Sequence, residues 1–316
     1  MKNYFNKNVT TILENSPFLT SYEFDLDNNG YGNILVYHLF PGIDLLFNDF
    51  IAEDCNQIST SNSYNDYIII NHCNKGRFET IFKGKHIFLS EGDLVFSSGA
   101  NEYLHDFPLG YYNGLQIIIN LKIAQDSIDK IIGKNIINIR NLSKIIRNNG
   151  FFAIIRSNPE VEHVISELYN VNESIKKAYY KLKVIELLLF LKNSEIKSLE
   201  NEFPKLKTEN VKKIKEIRQY LIKNIALDIT LNDLSNKFNI SQSTIKKYFK
   251  IIYGKPLFTW FREYRLNQAT IYLEKTNMPI SEISKLIGYK DHSKFSKAFK
   301  KYYFLTPIKY RKFYKN

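Results

Sequence analysis

A pattern written twice near the C-terminus constrains this chain more than any other feature. The first copy runs from Leu231 to Tyr253 and contains Ser-Thr-Ile-Lys-Lys-Tyr-Phe-Lys at Ser243–Lys250. The second runs from Ile280 to Tyr303 and contains Ser-Lys-Phe-Ser-Lys-Ala-Phe-Lys at Ser293–Lys300. Leu231, Leu234 and Ile240 recur 49 residues later as Ile280, Ile283 and Tyr289. Ser243, Ile245, Phe249 and Lys250 recur 50 later as Ser293, Phe295, Phe299 and Lys300. The offset changes by one in the turn inside each copy, where a change of length costs least. A repeat of this period marks a supersecondary unit used more than once.

Each copy reads as helix, short turn, helix. In the first, Thr230 is placed to cap a helix starting at Leu231, with Asp233 completing a capping box. Leu231, Leu234 and Phe238 share one face at helical spacing. The chain turns at Asn239-Ile240, and Ser241 caps a second helix whose Ile245 and Phe249 point inward. Gln242, Ser243, Lys246, Lys247 and Lys250 are left outside. The second copy repeats this logic. Pro279 keeps Met278 out of helical geometry and lets a helix begin near Ile280. Gly288 falls where positive φ is favoured, and Asp291 caps the next helix. Phe295 and Phe299 go inward, leaving His292, Ser293, Lys294, Ser296 and Lys297 facing out. A solvated helix face usually mixes charge signs. These two faces carry small polar groups and lysines, a pattern suited to the space between phosphate walls. A helix over Val211–Asn224 precedes the copies. Another, from Leu257 to about Glu274, joins them and takes the only tryptophan, Trp260, into its packing.

The order Ile280-Ser281-Glu282-Ile283, Gly288-Tyr289, Phe295-Ser296-Lys297-Ala298-Phe299-Lys300-Lys301, Thr306-Pro307 and Tyr310-Arg311 closely resembles the C-terminal signature of AraC/XylS-type transcription regulators. Arg265-Leu266 followed by Ala269 resembles the connecting helix of that family. The resemblance covers roughly the last hundred residues. It departs at Phe304, where the family usually has Gly, and at Ser235 and Ser284, where it usually has Ala. A Cβ is penalised in left-handed geometry, so Phe304 argues against a left-handed helix terminus there.

Charge divides the chain in the same place. From Asn210 onward there are 23 Lys+Arg and 7 Asp+Glu, a net of +16; the rest holds 21 and 25, a net of −4. All of the overall +12 excess therefore sits with the repeat, as expected of a nucleic-acid module joined to an unrelated acidic one. The apolar positions of the repeat are consumed by helix packing, which argues against a membrane-surface role. Cys55 and Cys73 are the only cysteines and form no CxxC pair. No cysteine-based zinc site of usual spacing and no disulfide framework is expected. Met1-Lys2-Asn3-Tyr4 opens no signal peptide, and no apolar run approaches ~18 residues, so the expected location is cytoplasmic, without a membrane partner.

The N-terminal half carries short strand patterns: Ile34–Leu39 ended by Pro41-Gly42, Tyr67–Cys73, Arg77–Phe82 and His86–Leu89 as a hairpin across Lys83-Gly84-Lys85, Leu94–Phe96, and Gln116–Asn120. Turns about every ten residues predict a small antiparallel barrel or sandwich. The resemblance implies a cupin-like barrel that binds an effector, through residues the sequence does not identify. His38, His72, His86 and His105 stand singly, without the His-x-His pair of metal-binding cupins, although His72 and His86 could meet across neighbouring strands. No metal, cofactor or catalytic residue is expected. Helices follow at Val161–Asn170, after an Asn158-Pro159 start, and at about Ser174–Leu191. In the latter Ile175, Ala178, Leu182, Ile185 and Leu189 space as three, four, three, four, a coiled-coil-like seam that suits dimerisation. A polar stretch with Pro204 reads as a linker.

The expected fold class is α+β. Residues 1–157 form a small antiparallel β-barrel sensor domain, 158–194 a helical dimerisation region, and 195–209 a linker. Residues 210–316 form an all-α domain with two helix-turn-helix motifs joined by a long helix. The expected function is sequence-specific, effector-responsive transcription activation, not enzymatic. Partners are promoter double-stranded DNA, RNA polymerase, a small-molecule effector in the N-terminal domain, and a second copy of the chain. Expected DNA contacts are Gln242, Ser243, Lys246, Lys247, Lys250, His292, Ser293, Lys294, Ser296, Lys297 and Lys300. Ser243, Lys246, Lys247, His292, Ser293, Ser296 and Lys297 are placed nearest the bases, whereas Lys250, Lys294 and Lys300 are placed on phosphates. The competing readings are an effector-independent regulator, a DNA-architectural protein, and a cupin-type metalloenzyme fused to a DNA-binding domain.

Overall fold

The N-terminal strands are apolar on both faces, and this decides their architecture. The computed structural model describes residues 11–26, 30–53, 55, 66–82, 84–98, 105–148, 152–155, 159–193 and 206–314. The chain divides into two units, Met1–Lys205 and Leu206–Asn316. The first holds strands β1 (Thr11–Asn15), β2 (Leu19–Leu26), β3 (Gly30–Phe40), β4 (Ile43–Ile51), β5 (Tyr67–Gly76), β6 (Phe78–Phe82), β7 (Lys85–Leu89), β8 (Leu94–Ser98), β9 (His105–Asp106), β10 (Tyr112–Asn120) and β11 (Phe152–Ile155). Its helices are α1 (Ala124–Ile132), α2 (Ile139–Asn148), α3 (Pro159–Tyr169) and α4 (Lys176–Asn193).

Eight strands form one antiparallel sheet in the order β1-β2-β3-β4-β10-β5-β8-β11, and β7-β6-β9 form a second. The expected hairpin is present, with Phe78 opposite Leu89 and Phe82 opposite Lys85. One face of the large sheet presents Tyr37, Leu45, Ile70 and Ile117, which pack with Ile128, Ile146, Val164 and Val184 of the four helices. The alternate residues Phe24, Val36, Leu46 and Ile118 pack with Phe78, Ile87 and Leu89 of the small sheet.

The closed barrel expected from the strand pattern is corrected by this arrangement. Among the described residues the ladder ends at β1 and β11 without those edges pairing. Period-2 alternation buries one face of each strand and leaves the other polar. Here both faces are apolar, so the sheet is covered on one side by helices and on the other by the small sheet. His72 and His86 do not meet either: β5 and β7 belong to different sheets. Helices α3 and α4 lie close to their expected spans. Asn158 and residues 195–205 of the expected linker fall outside the described residues, and residues 208 and 209 are already helical.

The second unit is helical: α5 (Thr208–Lys223), α6 (Leu231–Phe238), α7 (Gln242–Tyr253), α8 (Leu257–Lys275), α9 (Ile280–Leu286), α10 (His292–Tyr303) and α11 (Pro307–Tyr314). Ile245 and Phe249 are fully buried, as are their repeat counterparts Phe295 and Phe299. The Trp260 ring lies among Phe249, Tyr253, Phe261 and Tyr264. The two serines that depart from the family pattern each satisfy their hydroxyl locally: Ser235 Oγ donates to Ile240 O (2.8 Å) and Ser284 Oγ to Ser281 O (2.9 Å).

Phe304 corrects a second expectation. It is left-handed, with φ 61° and ψ −1°, although it carries a Cβ. The equivalent end of α7 uses Gly254 at φ 78°. Both turns must send the chain back so that the next helix packs on the one just ended, and after Phe304 that packing places Tyr310 against Phe299 and Tyr303. Such a backbone costs a non-glycine residue about 1–2 kcal/mol, and the aromatic cluster outweighs it.

Candidate nucleic-acid interface

Caps fix where each reading helix begins. In the first half, Thr230 Oγ1 accepts from the Asp233 backbone N–H (3.2 Å), and the Asp233 carboxylate accepts from Thr230 N–H (2.9 Å), closing the expected capping box. The Thr230 hydroxyl, which also donates to the carboxylate (2.7 Å), and then the Thr230 N–H hold the Asp233 carboxyl below the usual range. Asn239 takes the left-handed turn at φ 47°, and Ser241 Oγ then accepts from Thr244 N–H (3.2 Å) to start α7. In the second half Gly288 turns at φ 83°. The Asp291 carboxylate accepts from Ser293 N–H (2.7 Å), which starts α10 and keeps the Asp291 carboxyl below its usual range.

These starts set the rotation of the two helices. On α7, Gln242, Ser243, Lys246, Lys247 and Lys250 are all exposed. On α10, His292, Ser293, Lys294, Lys297 and Lys300 are exposed, and Ser296 is half-buried at the edge of the face. Among the described residues none of these six lysines is in an ion pair. Neither helix carries an acidic residue within its span; the nearest acid is the N-cap Asp291. Gln242 Nε2 reaches Asn232 Oδ1 (3.4 Å), and Ser243 Oγ lies 3.0 Å from Ser241 Oγ, so both polar side chains have a local resting partner.

The arrangement presents cationic donors and small hydroxyls with few competing anions. It can neutralise phosphate oxygens and offer donors to base edges. Helix α8 has 19 residues and spans about 28 Å at 1.5 Å per residue. Two links to the loop before α6, one from the turn of the second half and one from the connecting helix, leave no separate signal in the sequence. Lys290 Nζ pairs with Asp228 (2.8 Å), and Arg265 binds carbonyls of the loop before α6. Arg265 was visible in the sequence only as part of the family pattern, because its partners are backbone atoms and leave no side-chain signal.

The first unit differs in its charge: the residues before Asn210 carry a net of −4. Three of its histidines are tied to neighbours: half-buried His38 bridges Thr20 Oγ1 (3.1 Å) and Asp44 (2.8 Å), buried His86 meets Glu79 (2.7 Å), and buried His72 meets the Tyr169 hydroxyl (3.1 Å). Burial pushes His72 down to about 4. Among the described residues, no three His, Cys, Asp or Glu side chains gather as metal ligands would. A half-open pocket of about 50 Å³ lies between the two sheets, lined by Ile69, Asn71, Phe78, Thr80, Ser97 and Gln116 among others. Of the expected seam, Leu182 of α4 is 68% exposed, Ala178 and Leu189 are also exposed, as is Ile175 in the turn before α4, whereas Ile185 is buried in the core of the unit. No helix among the described residues is long and apolar enough to cross a membrane.

Comparison with known proteins points the same way. A family profile described as a helix-turn-helix domain matches residues 234–312. The chain is similar to the Msm operon regulatory protein of Streptococcus mutans, 28% identical over 99 residues that cover 31% of this chain and 36% of that protein. It is similar to the lactose operon transcription activator of Staphylococcus xylosus, 27% identical over 186 residues, 57% of this chain and 64% of that one. It is also similar to the arabinose operon regulatory protein of Escherichia coli, 25% identical over 173 residues, 54% and 58% of the two chains. The chain spans less than two thirds of the length of each of these relatives.

Proposed function

We propose, from the membership of this chain in the AraC/XylS family, that it is a sequence-specific DNA-binding transcription regulator, acting as an effector-responsive activator. One observation carries this reading. Two repeated helix-turn-helix units each expose a lysine-rich face with no acid in its helix, within a unit that holds all of the net positive charge. Gln242, Ser243, Lys246, Lys247 and Lys250 enter one major groove. His292, Ser293, Lys294, Ser296, Lys297 and Lys300 enter the next. Lysine reads guanine O6 and N7 while serine is permissive, so direct readout is modest and DNA shape contributes.

The remaining parts follow the same division of labour. Residues 1–157 sense, 158–194 dimerise, 195–209 link, and 210–316 bind DNA. The exposed Ile175, Ala178, Leu182 and Leu189 support pairing with a second copy, Ile185 backing them from the core. The cavity between the sheets supports a small, uncharged effector, since its lining is apolar with amide and hydroxyl groups and no charge. RNA polymerase is the partner of an activator, a reading supported by the name of the Staphylococcus xylosus relative.

The test is selection of duplexes from a random library by the full chain at physiological salt. The reading expects enrichment of one motif that occupies two successive helical turns per subunit. An architectural protein would retain the library without enrichment. A chain that retains no duplex even at low salt overturns the reading.

A further inference from the structure

The two reading helices can address one duplex only if their relative orientation is set, and one guanidinium lies where it is set. Arg265 belongs to α8. Its Nε donates to Ile225 O (2.9 Å) and its Nη2 to Leu227 O (2.7 Å), both in the loop that leads into α6. Its guanidinium carbon sits 4.3 Å from the centre of the Phe261 ring. On the remaining side is the turn of the second half: a Cβ built on Gly288 would stand 2.6 Å from Nη2 and 2.7 Å from Ile225 O. Gly288 therefore has two reasons to be glycine, its φ of 83° and the closeness of this group. Ile225 packs against the core cluster of the second half, which includes Ile283, Ile287 and Phe295. One planar group thus touches the connecting helix, the entry to the first helix-turn-helix and the turn of the second.

We propose that Arg265 is a positioning residue for DNA recognition: it locks the two helix-turn-helix halves in one orientation and so sets the half-site spacing the protein accepts. The guanidinium suits the task because it donates in a rigid fork and stacks on an aromatic face at the same time. A helix packed only through apolar side chains would hold the halves together but tolerate a range of angles. The exposed Lys290–Asp228 pair crosses the same seam, and, being solvated, adds little rigidity. When two modules are joined, the second contact becomes intramolecular, and its strength depends on whether the joint matches the span of the two sites. A stiff joint gives sharp spacing preference; a loose one gives broad preference. This inference rests on the DNA-binding reading, but the lock itself exists in the free protein and is measurable without DNA.

The experiment has two arms, both on the full chain. In the first, spin labels are placed at Asn236→Cys on α6 and Lys285→Cys on α9, both exposed positions outside the reading faces, with Cys55→Ser to remove the accessible native thiol. Labelled chain is diluted into unlabelled chain so that distances within one chain dominate. Native Arg265 is expected to give one narrow distance. Arg265→Gln is expected to widen it about twofold with helix content unchanged, and Arg265→Lys, which keeps charge and one donor, to lie between. In the second arm, a duplex selected by the native chain is compared with the same duplex carrying one extra base pair between half-sites. The native chain is expected to lose about tenfold in affinity and Arg265→Gln less than about threefold. A distance as narrow in Arg265→Gln as in the native chain overturns the proposal. So does unchanged spacing discrimination, or widening that appears only with loss of helix. If the native chain binds no duplex, the DNA reading fails while the distance arm still decides the lock.

Discussion

The two units reach order by opposite routes. In the helical unit most structural decisions are local: Thr230 and Asp233 cap each other three residues apart, and Ser241 and Asp291 start the reading helices from the adjacent position. In the sheet unit decisions are made at a distance. Strand β10 pairs with β4 on one side and β5 on the other, and β11 closes onto β8 from beyond two helices. The first kind of order is reached quickly and can be repeated, and the chain repeats it. The second depends on contacts far apart in sequence, which pay loop-closure entropy before they stabilise anything. The difference places a duplicated, charge-bearing reader on a helical scaffold and a half-open pocket between the two sheets.

The sharpest way to break this contrast is to empty one core. Phe299→Ala should destabilise the helical unit by about 3–5 kcal/mol, because it removes a fully buried ring that Phe295, Tyr303 and Tyr310 pack against. Denaturant unfolding followed by helix signal should show one transition shifted and the sheet transition in place. A shift in both would mean the units do not fold independently.

Acid should act on the other unit. His72 is buried and held near 4, below its unfolded value of about 6.5. Between those values the unfolded chain binds a proton that the folded chain does not, so stability falls as pH drops from 6.5 to 4. The full difference is about 3 kcal/mol. The sole histidine of the helical unit, His292, is exposed. Thermal scans at pH 7 and pH 4.5 should lower the sheet transition more than the helical one, and His72→Gln should reduce that difference. Equal sensitivity in the variant would assign the acid effect to other groups.

Substitution on the reading faces should leave both transitions alone. Lys247→Ala and Lys297→Ala are each expected to weaken a selected duplex by roughly 1–3 kcal/mol where they touch bases. Equal losses on random duplex would reassign them to phosphates. The smallest change runs in the favourable direction. Phe304→Gly relieves a left-handed residue whose side chain is 86% exposed, and should stabilise the helical unit by about 1 kcal/mol. A loss instead would show that the ring contributes more than its exposure implies.

How much of the molecule the sequence discloses follows the same division. Caps, spacing and the left-handed turns at Asn239 and Gly288 involve residues within one turn of each other, so the boundaries of α6, α7, α9 and α10 are readable to within a residue or so. The exposure of the eleven expected contact residues follows from that rotation, with only Ser296 partly covered. In the sheet unit, β5, β6, β7 and β8 are readable because glycine turns separate them. Strands β1, β2 and β4 are not, because Thr11–Asn15, Leu19–Leu26 and Ile43–Ile51 lack regular alternation between clear turn signals. Helices α1 and α2 are hidden by isoleucines that suit a strand equally well. The open sheet could not be read at all, since closure depends on which edges meet. Phe304 shows the reverse failure: a sound local penalty was outvoted by the packing of Tyr310.

The central claim is that the exposed faces of α7 and α10 lie in successive major grooves on one side of a duplex. Hydroxyl-radical footprinting of the full chain on a selected duplex tests it directly. The account expects, for each subunit, two protected patches offset by about one helical turn, roughly 10 base pairs, with Lys247→Ala and Lys297→Ala each relieving a different patch. A single patch lost equally in both variants, or uniform protection without a boundary, would contradict it.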